Sequence, residues 1–379
     1  MINANKYRLG NNKGAVIGQR GLEMKKLLVV LGCGLILMGL GYSQRAAITE
    51  RLIAAVLPKQ MGTNQVELLE DGLHVALCGA GGPMPSPRAS GPCVVVVAGD
   101  QLFLVDAGAN GPRNFARLGY PLGGIEAVFL THFHSDHIDG LGELATLRWA
   151  TGDDLTPLTV YGPEGVEDVI AGFNAAYTAD FGYRHDHHGD LVAPLSAAGL
   201  AAVPFTTPPD GELTTVFSEG GLTVEALRVD HAPVSPAVGY RFTYGGRTLL
   251  ISGDTAQSDN IRRFAEGIDL LVHEALSPEI IGMMEDTAKS LGNEILAKVM
   301  FDVPDYHASP RQAAETARDA GVGHLLYYHV VPPIMVPGQE TLWLNGAGDI
   351  FPDYTVGYDG VSFSLPANSS EIIQTRKGM

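Results

Sequence analysis

The chain has 379 residues, 45% of them hydrophobic and 18% charged, with 47 glycines and 23 prolines; this is ample apolar material for a core and excludes a disordered chain. The formal charge is −17, and the body is more acidic still, because Lys6, Arg8, Lys13, Arg20, Lys25 and Lys26 all lie near the N-terminus. Proteins that grip a phosphate backbone lean on lysine and arginine, so this balance disfavours a nucleic-acid partner.

Residues 1–23 contain no apolar block and read as an extension, removed if Met24 is the true start. "MKKLLVVLGCGLILMGLGYSQ" then sets two lysines ahead of an apolar run from Leu27 to Leu40. The run is long for a signal peptide and short for a spanning helix of roughly 20 residues. Residues 24–45 are therefore expected to be either a signal peptide cleaved after Ser43 or a membrane anchor centred on 27–42. Either makes the protein exported: periplasmic, secreted or membrane-bound. In "AAITERLIAAVLP", Ile48, Leu52, Ile53 and Val56 have helical spacing, so residues 46–66 read as a helical stalk or linker.

From residue 67 to 368 the pattern is that of one large domain. Short β runs, "LHVALCG", "CVVVVAG", "LFLVDAG" and "AVFLTH", are followed by a second series, "LTVEALRVDH", "VGYRFTYGG", "RTLLISGD", "LLVHEAL", "HLLYYH" and "TVGYDGVSFSL". Helical stretches are expected at 140–150, 163–179, 258–266, 278–300 and 310–320. The last has Ser309 as N-cap, Pro310 at its first position, Gln312 completing a capping box and Gly321 at its end. Two strand series with interspersed helices predict an α/β fold of two packed sheets clad by helices. Cys78 and Cys93 flank a Gly/Pro-rich loop; a disulfide and two buried thiols are both open. Residues 172–218 read as an insertion or cap whose Phe173, Tyr177, Phe181, Tyr183 and Phe205 roof a pocket. Residues 369–379 read as a tail.

"THFHSDHIDG", residues 131–140, concentrates His132, His134, Asp136, His137 and Asp139. Imidazoles with a carboxylate suit zinc (Zn2+), and Mn2+ or Fe2+ also fit. His132, His231, Asp254, His273 and His329 each follow or end an apolar β run, the place where side chains of different strands converge at one sheet edge. His185, His187 and His188 in "RHDHHGD" read as a solvated loop, Asp139 as loop support, and His74 and His324 as ordinary. The glycines of "CGAGGPMP" let backbone pass close to a metal.

"THFHSDHIDGL" and "SGDT" resemble the metal-binding motifs of the metallo-β-lactamase superfamily. "VDHAPVSPAVGYRF", "DLLVHEAL", "YHASPRQAAETA" and "LLYYHV" resemble, in order, the later motifs of its ribonuclease Z and zinc phosphodiesterase branch, and the layout is similar to that of a bacterial arylsulfatase branch. The resemblance implies an αββα four-layer sandwich and two Zn2+ ions. It places His132, His134 and His231 on one ion, Asp136, His137 and His329 on the other, and Asp254 between them, activating a hydroxide for ester cleavage. It makes Asp136, Asp254 and His273 catalytic, with His273 as proton donor to the leaving group, and gives His307 and Glu274 supporting roles.

Between Arg241 and Ser252 lies only "FTYGGRTLLI", a hairpin with no room for a tRNA-gripping arm. With the acidic body and the export segment, this favours a small-molecule ester, a compact phosphodiester or an aryl sulfate. The alternatives are tRNA 3′-processing of the ribonuclease Z type, hydrolysis of a lactone or β-lactam, and a non-catalytic metal-binding module at the membrane. A homodimer is compatible with all of them.

Overall fold

The computed structural model describes residues 30–31, 42–153 and 155–378. Most of the expected extension and signal or anchor, including nearly all of the apolar run, lies outside the described residues. The chain divides into two units, Met1–Thr63 and Asn64–Met379. In the first, Arg45–Met61 is a helix, as the stalk reading expects, and its Ile48, Leu52, Ile53 and Val56 are exposed. Among the described residues, no helix is long and apolar enough to cross a membrane.

The second unit carries two sheets. In chain order, β1 (Gly72–Gly79), β2 (Cys93–Ala98), β3 (Gln101–Val105), β4 (Ala127–Phe129), β5 (Leu158–Pro163) and β6 (Leu200–Phe205) belong to one. β7 (Leu213–Glu219), β8 (Leu222–Arg228), β9 (Val238–Tyr244), β10 (Arg247–Ile251), β11 (Leu270–Leu276), β12 (His324–Val331) and β13 (Tyr354–Val356) form the other. β14 (Val361–Pro366) and β15 (Ile373–Lys377) return to the first sheet, whose order is β15-β14-β1-β2-β3-β4-β5-β6. The second runs β13-β12-β11-β10-β9-β8-β7.

The strand "CVVVVA" shows why the layers form. Val94, Val96 and Ala98 point into the core between the sheets, while Cys93, Val95 and Val97 point to an outer core. That outer core contains Phe115 from the helix Gly111–Arg117, Leu141 and Leu144 from Leu141–Thr151, and Val166 and Ile170 from Val166–His188. A strand buried on both faces has no reason to alternate. On the far side, Ile261, Ala313, Ala317 and Trp343 pack helices onto Leu250, Leu271 and Leu325 of the second sheet. The result is the expected four-layer α/β sandwich.

Several boundaries differ from expectation. The 172–218 stretch is not a cap: it comprises the end of the helix Val166–His188 and then the edge strands β6 and β7. Its Phe205 and Phe217 pack against the inter-sheet core, and Phe181 stands edge-on to Trp149 at 5.5 Å. Helix 278–300 is two helices, Pro278–Ser290 and Glu294–Asp302. Gly292 takes φ 70° between them, and Asn293 caps the second by accepting from Leu296 N–H. The supposed tail supplies β15, paired to β14. Cys78 and Cys93 form a disulfide between neighbouring strands, with Cα atoms 5.0 Å apart. The capping box of Pro310–Ala320 is present as read.

Phe129 anchors the inter-sheet core. Its ring lies 5.1 Å from Tyr161, 5.4 Å from Tyr240, 5.7 Å from Phe242 and 5.8 Å from Phe103, joining both sheets just before the chain enters the histidine motif. Phe129→Ala is expected to cost about 3–5 kcal/mol, seen as a lower urea midpoint at unchanged m-value; a loss below about 1 kcal/mol would show that this core collapses to fill the space.

Candidate metal centre

The centre assembles at strand ends. β3 pairs parallel with β4 in one sheet, and β10 with β11 and β11 with β12 in the other, so within each sheet these strands present their carboxyl ends on the same side. After β4, His132 and His134 precede the short helix Ser135–Ile138, which carries Asp136 and His137. Asp254 follows β10 through Gly253, whose φ is 64°; a Cβ there would meet Val238 O at 2.6 Å, so only glycine fits. His329 is the unpaired extra residue where the β11–β12 register slips, and it takes φ 44°. A bulge re-aims a strand side chain; this one turns the imidazole to the centre.

Ligand atoms of His132, His134, His231 and Asp254 lie within 4.8 Å of one another, and so do those of Asp136, His137 and His329. Asp254 joins the groups: its Oδ2 is 3.9 Å from His132 Nε2, 4.0 Å from His231 Nε2 and 3.3 Å from His329 Nε2, and its Oδ1 is 3.4 Å from His137 Nε2. Asp136 Oδ2 lies 3.3 Å from His329 Nε2 and 3.7 Å from His137 Nε2. His132 Nε2, His137 Nε2 and Asp254 Oδ1 are buried without a hydrogen-bond partner among the described residues. Orphaned buried polar atoms are rare and costly, and cations held in the two ligand groups would satisfy all three. The donor set, imidazoles with carboxylates, fits zinc.

Electrostatics agree. Burial holds His132, His134 and His231 below the ordinary imidazole pKa, keeping them neutral as metal ligands must be. Burial alone would raise the Asp254 carboxyl, but His329 and His137 hold it well below the usual range. Burial would lower His137, yet Asp254 and Asp106 raise it.

The sequence reading missed Asp106. It directly follows β3 in "LFLVDAG" with φ 58°, the same strand-end signal that exposed Asp254. Its carboxylate accepts from His137 Nδ1 at 2.7 Å and from Thr131 N–H and Oγ1 at 2.9 Å. It thereby turns His137 Nε2 toward the centre. Tyr306, also missed, places its carbonyl 2.9 Å from His231 Nδ1.

His273 and His307 are not where their expected roles put them. His273 is buried, its Nδ1 2.7 Å from the Glu274 carbonyl, and it does not line the cavity beside the centre. His307 does, with its ring stacked 5.6 Å from that of His329. Buried Glu274 holds it, Oε1 lying 3.2 Å from His307 Nδ1 and accepting from Ala308 N–H at 2.9 Å and Thr255 N–H at 3.2 Å. Burial would lower the His307 pKa, but the Glu274 carboxylate raises it to about 9. Asp254, His307 and His329 also fall within ligand reach of one another.

The cavity measures about 790 Å³. His134, Asp136, Asp254, His307 and His329 border it, and Met84, Leu276, Ile280, Met284, Met300 and Val303 give it apolar walls. Its roof is therefore the helix pair 278–302 and the 83–85 loop, not the aromatics expected from 172–218. Gly82 passes so close that a Cβ would stand 2.8 Å from His329 Cε1, as the "CGAGGPMP" reading expects. His185, His187 and His188 join no metal-sized group among the described residues. His74 bonds Ser364 Oγ and Glu70 O, and His324 bonds Thr355 Oγ1, as ordinary histidines do.

Residues 102–330 match the Beta-lactamase superfamily domain. Ribonuclease Z of Mycobacterium bovis (strain BCG / Pasteur 1173P2) is 37% identical over 273 residues, 72% of this chain and 90% of the relative. Ribonuclease Z of Mycobacterium sp. (strain KMS) is 36% identical over 281 residues, 74% and 91% of the two chains. Among solved structures, the metallo-β-lactamase fold protein YhfI from Bacillus subtilis superposes with a TM-score of 0.56 at 20% identity, covering 78% of this chain and all of its own. Human tRNase Z, short form, gives 0.53 at 21% identity, covering 77% and 99%.

Two expectations are corrected by these relatives. They are named for cutting RNA, which overturns the preference for a small-molecule ester and the view that a nucleic-acid partner is disfavoured; net charge summed over a chain does not say how charge is distributed on its surface. The expectation of export is overturned with it, since the relatives that match carry the name Ribonuclease Z, an activity directed at RNA. The relatives carry the phosphodiester part of the expectation and not the aryl sulfate. The chain belongs to the metallo-β-lactamase superfamily, as a metal-dependent hydrolase whose curated relatives are ribonucleases Z.

Proposed function

We propose that this protein is a ribonuclease Z-type endoribonuclease that cuts a phosphodiester in the 3′ trailer of precursor tRNA. The observation that carries the chemistry is the buried cluster around Asp254, with orphaned ligand atoms bordering an open cavity. The 37% identity over 90% of a ribonuclease Z supports the choice of RNA.

In this reading His132, His134 and His231 hold one zinc ion, Asp136, His137 and His329 a second, and Asp254 serves both. Bound there, zinc would make a water nucleophile available at neutral pH and would supply Lewis acidity toward the phosphoryl oxygens. The protein's own groups do the rest. Asp106 and the Tyr306 carbonyl fix the rings of His137 and His231 through their Nδ1 atoms, leaving Nε2 for the ion. The apolar walls exclude water and present Met84, Met284 and Met300 as deformable surfaces for an unstacked base. His307, charged through Glu274 and bordering the cavity, delivers the proton to the departing ribose oxygen. His273, shut away from the cavity, has no access to it and is assigned a packing role.

A precursor tRNA with a 3′ extension is expected to be cut endonucleolytically by the zinc-loaded protein; hydrolysis of bis-p-nitrophenyl phosphate with the RNA left intact would refute the RNA reading. His307→Ala is expected to slow RNA cleavage about 10²–10⁴-fold and to spare bis-p-nitrophenyl phosphate, whose leaving group needs no proton. Equal losses on both substrates would remove His307 from the donor role, as would a His273→Ala variant with the same selective defect. A donor must be protonated, so rate falls as pH rises through its pKa, and Glu274→Gln should move that alkaline limb to lower pH. Asp106→Asn is expected to weaken zinc binding about 10–100-fold in competition with a chelator; unchanged affinity would show that Asp106 does not orient His137.

A further inference from the structure

The loop that carries Gly82, Pro83 and Met84 past the metal centre has a second face. Beyond Pro85 it forms one wall of a separate cleft of about 450 Å³, lined by Arg88, Arg117 and Lys377 together with Ser86, Asn110 and Tyr358. The three cations come from unrelated parts of the chain: the 80–92 loop, the end of the helix Gly111–Arg117, and the edge strand β15. All three are exposed. In a chain of net charge −17, several cations face a carboxylate, as Arg113 does Glu143 at 2.7 Å and Arg247 does Asp269 at 2.7 Å. Arg88 and Arg117 instead touch neutral acceptors: Arg88 Nη2 donates to the Met335 carbonyl at 3.3 Å, and Arg117 Nη1 to Asn114 Oδ1 at 3.1 Å.

One carboxylate lies in the same cleft, that of Asp359. It is buried, and its oxygens accept from Ala80 N–H at 2.9 Å, Ser90 N–H at 2.9 Å and Asn114 Nδ2 at 2.7 Å. It is spent on holding both ends of the loop. Glu340, nearby, accepts from the Tyr358 hydroxyl at 2.9 Å. The positive side chains are thus left exposed along one cleft wall, and guanidinium forks and an ammonium are the groups that recognise a phosphate.

We propose that this cleft binds a backbone phosphate of the RNA whose scissile bond lies in the metal cavity. The proposal rests on the RNA reading above and adds a second contact point. A single loop separates the two sites, so a strand leaving the cavity over Pro83–Pro85 meets Arg88 first. Such a contact positions a substrate without reading its sequence, and a local cluster of this kind lets an acidic protein hold a polyanion.

The test uses the full chain and the triple variant Arg88→Ala/Arg117→Ala/Lys377→Ala, all three positions being exposed. Expected are a rise of about tenfold or more in KM for precursor tRNA and a flattening of the log affinity against log salt slope by roughly 0.7–0.9, the contribution of one neutralised phosphate. Turnover of bis-p-nitrophenyl phosphate, which is too small to reach the cleft, should stay at the wild-type value and shows that the variant is folded. The charge-preserving Arg88→Lys/Arg117→Lys should keep most of the affinity. A wild type that cuts the precursor beside a triple variant with the same KM and salt slope overturns the cleft alone. A wild type that neither binds nor cuts it overturns the RNA reading and the cleft together.

Discussion

The structure is organised around one buried carboxylate. Asp254 is 2% exposed and lies within 4.0 Å of four imidazole nitrogens. A carboxylate taken out of water is strongly unfavourable unless charge of the opposite sign is brought to it. His132 and His231 cannot supply that charge, because burial suppresses their protonation. Cations bound between the carboxylate and the rings do, and in the same act satisfy the orphaned nitrogens. Folding, metal binding and hydrolytic chemistry are therefore one problem with one solution.

The two sheets are the means of bringing those groups together. Histidines far apart in sequence meet because each sheet contributes strand ends to the centre: His132 follows β4 of one sheet and His329 sits in β12 of the other, and both lie within 4.0 Å of Asp254. At those strand ends the regular pattern is broken deliberately: a bulge at His329 and a left-handed backbone at Asp106 and Gly253. Conformations that cost free energy persist where the surroundings enforce them, and here each re-aims a group toward the metals. Helices on the outer faces and the Phe129 cluster between the sheets hold those ends in place.

Much of this was legible in the amino-acid sequence, for a physical reason. Strand-end histidines and "SGD" are local signals, since a β run followed by a metal ligand needs only a few residues to declare itself. The seven expected ligands come together in the structure, and the capping box at Ser309 forms as read. What failed depends on side-chain direction or on distant contacts. "HEA" does not reveal that His273 turns inward while Glu274 reaches His307 across 33 residues. Aromatics in 172–218 could not announce that Phe173, Tyr177, Phe181 and Tyr183 belong to the helix Val166–His188 and Phe205 to an edge strand, rather than to a cap. Nor does total charge tell where Arg88, Arg117 and Lys377 converge, and it led the reading away from RNA.

The central claim is that Asp254 joins two ions held by distinct triads, with His307 left free for proton transfer. Anomalous X-ray scattering from crystals of the zinc-loaded protein tests it directly. The account predicts two zinc peaks, one within His132, His134 and His231 and one within Asp136, His137 and His329, both in contact with Asp254 and neither with His307. A single peak, or a zinc ion ligated by His307 together with His329, would contradict it.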